Sequence, residues 1–335
     1  MKSSAPCKVI LFGEHAVVYD KLGIAAAIGE KTFVEVLPCD EEGIEIVRIL
    51  EPKFTKISKA ELFGKLEKFR GIYKSKELGK LKEFSFVDSI AIVIAECMDR
   101  YGYKDAKVEI KFGNMLKGVG RSASKYNAVA LGVSKFLGHD LSRDELKEIA
   151  YIGDVVAHGG MPSGIDTGTI AMGGYVSYRK SLGITKLDIN YKLPLLVVDS
   201  GESAKTGIAI ETVRKMKADM PDYVNPILDE MDSISTKAIK SLQDKNLDHV
   251  GALMTRNHEL LRKLNVSTKK LDWIVQFGID NGALGAKLTA AGQGGCAIVL
   301  AKSEEHAKEL CSMYEANNYR AFTTSMGAEG TGIED

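Results

Sequence analysis

The amino-acid sequence predicts an α+β fold built in two parts. Its 335 residues exceed a single domain of ~100–200 residues. Strand-like and helix-like stretches do not alternate regularly, which excludes a doubly wound β-α-β-α sheet. The pattern also changes along the chain: after a strand at 194–199, a run of consecutive helical segments takes over. The boundary is expected near residues 180–195, and the division adopted is 1–187 and 188–335.

Taken in order, Lys8–Phe12 (KVILF) is β-branched and aromatic and reads as a strand, and Thr32–Leu37 (TFVEVL) alternates like another. Lys56–Lys80 is a charged, helix-prone connection whose Lys/Glu run reads as a solvated face. Phe86–Met98 is a strongly apolar helix, and Lys107–Phe112 (KVEIKF) is an alternating strand. A glycine-bearing loop leads into helices at about Ser122–Leu137 and Ser142–Ala157. The second opens Ser142-Arg-Asp-Glu145, a capping box whose serine and glutamate each satisfy the other's backbone N–H. Gly159–Asp166 interrupts the helical pattern with Gly and Pro. Tyr175–Arg179 and Pro194–Asp199 read as strands, followed by helices over Ser203–Asp219, Val224–Lys245, Asn246–Leu264 and Ser267–Asn281. A strand at Cys296–Ala301, a helix at Glu304–Glu315 and a strand at Tyr319–Thr324 complete the pattern, and Gly327–Asp335 is expected to fray.

Charge and composition exclude several classes. Lys+Arg and Asp+Glu both total 45, which speaks against nucleic acid or an anionic membrane as the main partner. An anionic ligand must therefore be held by local groups. The cysteines (Cys7, Cys39, Cys97, Cys296, Cys311) show no C-x-x-C spacing, which argues for a reducing compartment and against a structural zinc site. Met1–Pro6 runs straight into a strand pattern, and the most apolar run, Ser89–Cys97, is too short to span a bilayer. A cytoplasmic location is the expectation.

The stretch Lys117–Ser124 (KGVGRSAS) carries the clearest chemical signal. Two glycines followed by hydroxyl-bearing residues and a helix suit a loop that wraps phosphate with backbone N–H groups at a helix N-terminus. Glycine lets the backbone approach the phosphate closely, and a following hydroxyl can ligate phosphate-bound Mg²⁺. An ordinary strand-to-helix turn with a serine cap explains the same residues. Gly118-Val-Gly120-Arg-Ser-Ala123 formally satisfies the dinucleotide pattern G-x-G-x-x-A, but the helix runs into His139-Asp140 and a second helix instead of a strand ending in an acid. No Walker loop occurs.

A second segment, Asp154–Asp166 (DVVAHGGMPSGID), offers an acid on a helix and an acid on a constrained turn. That pair suits phosphoryl transfer, one acid ligating Mg²⁺ and the other facing the attacking hydroxyl. A surface acid and a capping acid are the plainer alternative. His158 shares a helix face with Asp154 and reads as packed or hydrogen-bonded, since no second His or Cys stands near it. A third segment, Lys287–Ala297 (KLTAAGQGGCA), again offers glycine-rich backbone, or simply a tight turn before a strand. At the N-terminus, Ala5–Val18 (APCKVILFGEHAVV) places Lys8 at the start of a strand and Glu14-His15 beyond its end.

Together these segments, with Asn257-His258-Glu259-Leu260-Leu261, resemble the GHMP kinases over nearly the whole chain and in the family's order. The GEHAVVY and HG-x-x-PSGID strings are similar to members that phosphorylate mevalonate more than to those acting on phosphomevalonate or homoserine. The resemblance implies a ribosomal-S5-like N-terminal domain, a ferredoxin-like C-terminal domain, and ATP and mevalonate between them. It implies Asp166 as catalytic acid/base and Lys8 as its partner, polarising the acceptor hydroxyl. Ser122 and Asp154 would hold Mg²⁺, although the family usually has Glu at the latter position. Lys117, Gly118, Val119, Gly120, Arg121, Ser122, Ala123 and Ser124 would cradle the ATP phosphates, and Glu14, His15 and Ser163 would lie against substrate. A homodimer is allowed. A GHMP kinase with another acceptor, or a non-catalytic nucleotide-binding homologue, remains an alternative.

The chain departs from the family pattern at several places. Arg121 replaces a small residue, Cys7 a glycine in APGK, Asp20 a glycine after Val18-Tyr19, and Ala290 and Gln293 glycines of the third motif. None removes an implied catalytic group. All touch backbone geometry or the approach of phosphate.

Overall fold

The structure, a computed structural model, describes residues 1–49, 53–113 and 118–334. Lys117, expected in the phosphate loop, lies outside the described residues. The strands are β1 (Lys2–Phe12), β2 (Gly23–Pro38), β3 (Ile44–Arg48), β4 (Lys53–Ile57), β5 (Ala106–Phe112), β6 (Tyr175–Arg179), β7 (Gly183–Leu187), β8 (Leu193–Asp199), β9 (Gly285–Leu288), β10 (Cys296–Leu300), β11 (Arg320–Met326) and β12 (Gly332–Glu334). The helices are α1 (Lys59–Ser75), α2 (Phe86–Tyr101), α3 (Arg121–Phe136), α4 (Arg143–His158), α5 (Ile165–Met172), α6 (Thr206–Asp219), α7 (Pro221–Gln243), α8 (Leu247–Lys263), α9 (Lys269–Asp280) and α10 (Glu304–Ala316).

One mixed sheet runs through the described residues in the order β4-β3-β5-β2-β11-β8-β10-β9, with β1 on β2 and β12, and β6 on β2 and β7. The long strand β2 joins the halves. Its end at 32–38 pairs with β5, its start pairs with β6, and Ile28 pairs with Met326 of β11. Helices α1 to α5 bury their apolar faces in one core with β2, β3 and β5, while α6 to α10 pack in a second core with β8, β9 and β10.

Strand β1 belongs to both cores, and a register shift between Pro6 and Cys7 makes this possible. Ala5 packs in the first core, whereas Cys7, Val9 and Leu11 pack in the second. Such an irregularity re-aims the side chains beyond it. It turns Lys8 toward the helices of the first half, away from the core that takes Cys7.

Several expectations need correction. Gly327–Asp335 does not fray as far as it is described, because β12 pairs with β1 and Thr331 is buried with its hydroxyl donating to the Ile170 carbonyl. The Lys56–Lys80 connection is not wholly a solvated face, because α1 buries Leu62, Leu66, Phe69 and Ile72 at helical spacing. Asp166 sits in the first turn of α5 instead of on a turn, because Gly164, at φ 78°, caps that helix. Among the described residues no helix is long and apolar enough to cross a membrane.

Candidate active site

The cleft that gathers the candidate residues has a volume of 590 Å³ and lies where β1, α3, α4 and α5 meet Ala204, the start of α6 at Thr206, and the loop at 290–291. Its floor begins with the loop before α3. Gly118 and Gly120 adopt φ of 102° and 77°, a region open mainly to glycine. Between them Val119 is buried, and its carbonyl accepts the Lys8 N–H at 2.9 Å, tying the loop to β1. The Lys8 stem then crosses Gly120 so closely that a Cβ there would stand 2.9 Å from Lys8 Cγ and 3.0 Å from Cε. The Lys8 ammonium ends 2.8 Å from Asp166 Oδ1; Lys8 is enclosed, while the Asp166 side chain keeps 30% exposure to the cleft.

Asp154, on α4, lines the same cleft although only 2% of it is exposed. His158, one turn on, donates from Nδ1 to the Asp154 carbonyl at 2.9 Å and lies 3.4 Å from Oδ1. The hydrogen bond to Asp154 raises the His158 pKa to about 9, against the opposing effect of burial. Ser122 stands exposed in the first turn of α3 and also lines the cleft.

The structure thus brings Lys8, Gly118, Gly120, Arg121, Ser122, Ala123, Asp154 and Asp166 to one cavity. Other expected site residues lie outside its lining. Ser124 has its N–H on the Gly120 carbonyl and its hydroxyl on the Ala5 carbonyl and Thr32, so it fastens α3 to the sheet. Val119 is covered beneath the loop. Ser163 is exposed outside the cleft lining and, among the described residues, accepts a long 3.4 Å contact from the Ile165 N–H. Glu14 is an interior residue: its carboxylate is enclosed with the Lys287 ammonium and accepts from Asn257 Nδ2 at 3.1 Å. Burial raises the Glu14 pKa and lowers that of Lys287, each opposed by the partner's charge. His15, at φ 62°, is buried and donates from Nε2 to the Ala291 carbonyl at 2.7 Å. It therefore supports a cleft-lining residue without lining the cleft itself.

The third glycine motif serves packing more than ligand approach. A Cβ at Gly292 would lie 2.2 Å from the Val266 carbonyl oxygen, and one at Gly294 2.8 Å from that of Glu202. Thr289 both accepts from and donates to the Ile10 backbone at 3.0 Å, clamping the motif to β1. Ala290 and Ala291 line the cleft. Ala290 and Gln293, the residues standing for glycine, keep positive φ of 63° and 52°, as Asp20 does at 61°.

Sequence reasoning missed the cationic and aromatic wall. Arg121 stacks its guanidinium 4.0 Å over the Phe112 ring, and Arg48 lies 5.2 Å over Phe86. Lys125 is fully buried, lines the cleft, and holds its ammonium 3.5 Å from the Phe86 centroid. Burial pushes its pKa well below the ordinary lysine value, with the Asp154 charge opposing. The signal was present in SASKYNAVALGV, where a lysine interrupts an apolar helix face one turn after Ser122.

The family model described as GHMP kinases N terminal domain matches residues 88–174, and the one described as GHMP kinases C terminal matches 238–320. The chain is 36% identical to the mevalonate kinase of Pyrococcus furiosus, covering 99% of this chain and 98% of that protein. It is 32% identical to the mevalonate kinase of Aeropyrum pernix over 100% of this chain and 98% of the relative. Among solved structures, the Methanococcus jannaschii mevalonate kinase aligns at a TM-score of 0.80 and 30% identity, covering 97% of this chain and 98% of that one. The L. major mevalonate kinase in complex with R-mevalonate aligns at 0.79 and 26% identity, covering 98% and 97%.

Proposed function

The chain belongs to the GHMP kinases and phosphorylates mevalonate in isoprenoid biosynthesis, and we propose that it does so in the cleft built around Lys8 and Asp166. The reaction moves the γ-phosphoryl group of ATP to the 5-hydroxyl of mevalonate, giving 5-phosphomevalonate. The observation that carries the assignment of roles is the 2.8 Å contact between Lys8 Nζ and Asp166 Oδ1 at the edge of the phosphate loop.

Phosphoryl transfer needs positioning and charge stabilisation more than covalent chemistry. Asp166 offers a carboxylate to the acceptor hydroxyl, orienting it and taking its proton as the P–O bond forms. Lys8 steadies that carboxylate and supplies positive charge beside the developing oxyanion. The glycines at 118 and 120 leave the backbone at the start of α3 open to phosphate oxygens, and the helix N-terminus favours the same charge. His15 and Glu14 are proposed to act on substrate at one remove: His15 holds Ala291, and Glu14 ties β1 to Lys287 and Asn257.

The donor set suits Mg²⁺. Ser122 and Asp154 present only oxygen ligands to the cleft, the chemistry this ion takes, and few protein ligands suffice when phosphates complete the sphere. They would hold the ion, which when bound neutralises phosphate charge. The parts 1–187 and 188–335 are proposed as the two domains flanking the cleft, and a cytoplasmic setting supplies both substrates.

The test is an ATP-dependent phosphorylation assay across mevalonate, phosphomevalonate and homoserine. Turnover with mevalonate far above the other two is expected. Preference for either of the others, or no turnover at all, contradicts the reading.

A further inference from the structure

Lys125 lines the cleft, and the proposed chemistry leaves it without a task. Its side chain is fully buried, and among the described residues its Nζ has no hydrogen-bond partner. The ammonium rests between aromatic faces, 3.5 Å from the Phe86 centroid and 4.2 Å from that of Tyr126. Ring faces offset part of the charge but accept none of the N–H donors in the way an oxygen does. An enclosed ammonium without an acceptor is costly, so the position is explained best by an acceptor that arrives with a ligand.

The surroundings say what that acceptor is. Arg121 and Arg48 face the same cleft, and the acids nearby are already engaged, Asp154 with His158 and Asp166 with Lys8. Lys125 lies on α3 one turn after Ser122, beside the loop whose glycines open the backbone. Cations grouped at a helix N-terminus select a group with several anionic oxygens.

We infer that Lys125, flanked by Arg121, forms a phosphate-oxygen subsite in the cleft wall that holds the phosphate tail of the bound nucleotide. The inference rests on the kinase reading above and names a residue that this reading does not use. A phosphorylated acceptor carries the same oxygens, so the test separates the two sources.

The purified full-length chain and its Lys125→Met and Lys125→Arg variants are titrated by calorimetry with ATP, ADP, adenosine and phosphomevalonate, and melted in parallel. Lys125→Met is expected to weaken ATP and ADP by ~10-fold or more, the worth of a charge-assisted hydrogen bond. Adenosine affinity stays unchanged, Lys125→Arg recovers part of the loss, and the melting temperature does not fall, because methionine suits the aromatic pocket without an unmet donor. A Lys125→Gln variant supplies the same comparison should the methionine form fail to fold. Unchanged ATP affinity in the methionine variant overturns the inference, as does a loss for phosphomevalonate with none for ATP. A melting temperature that drops while ATP affinity holds assigns Lys125 to packing instead. Wild-type protein that binds no ATP at all overturns the kinase reading itself, a result that the variants cannot mimic.

Discussion

The Lys8 ammonium reaches Asp166, at 2.8 Å, by passing its methylene stem over Gly120, where a Cβ would come within 3.0 Å of two of its carbons. The proposed phosphate loop and the Lys8–Asp166 pair are thus one piece of structure. The loop's second glycine keeps open the path of the lysine as well as the approach of a phosphate. The Val119 carbonyl, bonded to the Lys8 N–H, fixes the other side of that path.

Gly120→Ala should therefore cost more activity than stability. The substitution meets a positive φ of 77°, worth ~1–2 kcal/mol of strain, and also displaces the Lys8 stem. The expected outcome is a modest fall in melting temperature with kcat reduced by ~10-fold or more. Loss of stability with normal kcat in the folded fraction would show that the stem yields without moving the ammonium.

Ser122→Ala and Asp154→Asn should each raise the Mg²⁺ concentration that gives half-maximal rate, since the first removes a proposed oxygen ligand lining the cleft and the second takes the charge from another. A Mg²⁺ titration unchanged in both variants removes these residues from the metal's environment.

Ala290→Gly should stabilise the protein. Ala290 is held at φ 63°, which costs an alanine ~1–2 kcal/mol, while glycine returns ~0.5–1 kcal/mol of that as unfolded-chain entropy. The net expectation is a gain of roughly 0.5–1 kcal/mol in denaturant unfolding. A loss of stability would mean that the Ala290 methyl packs usefully at the cleft.

His258 should make the protein acid-sensitive. Its Nδ1 accepts from the Leu288 N–H at 3.3 Å and its Nε2 faces Asp272 at 3.1 Å, an arrangement that needs the neutral ring. Burial depresses its pKa from 6.5 to about 4, with Asp272 opposing. The folded state therefore resists protonation: the stabilisation is complete above about pH 6.5 and is lost as pH falls toward 4. The loss amounts to as much as roughly 3 kcal/mol, and a His258→Gln variant should show a flatter decline across that window. Parallel stability–pH curves for the two proteins would remove His258 as the source.

The sequence made the candidate site legible where it lies in short local strings. Gly118 and Gly120, Ser122, Asp154 and Asp166 are all found from spacing and composition, and they meet in one cleft. Lys8 was legible as a strand residue, but its direction depends on the register shift at Pro6/Cys7, which no local pattern encodes. The interior place of Glu14 was not legible for a similar reason. Its partner Lys287 lies 273 residues away, and only the folded sheet brings them together. Lys125 read as a helix residue because its burial comes from Phe86 on another helix. The third motif read equally as ligand-facing backbone or as a tight turn, and its Gly292 and Gly294 stand against the backbones of Val266 and Glu202. The strand at Gly332–Glu334 was missed because its three residues gain their order from β1, not from their own propensity.

The most direct test of the central claim is single-turnover transfer from γ-labelled ATP to mevalonate, comparing wild type with Asp166→Asn and Lys8→Met. Folded variants are expected that still bind ATP and mevalonate but transfer phosphoryl groups ~10²–10⁴-fold more slowly. Transfer at the wild-type rate by folded Asp166→Asn would contradict it, since no acid would then be required at the position that the Lys8 ammonium holds.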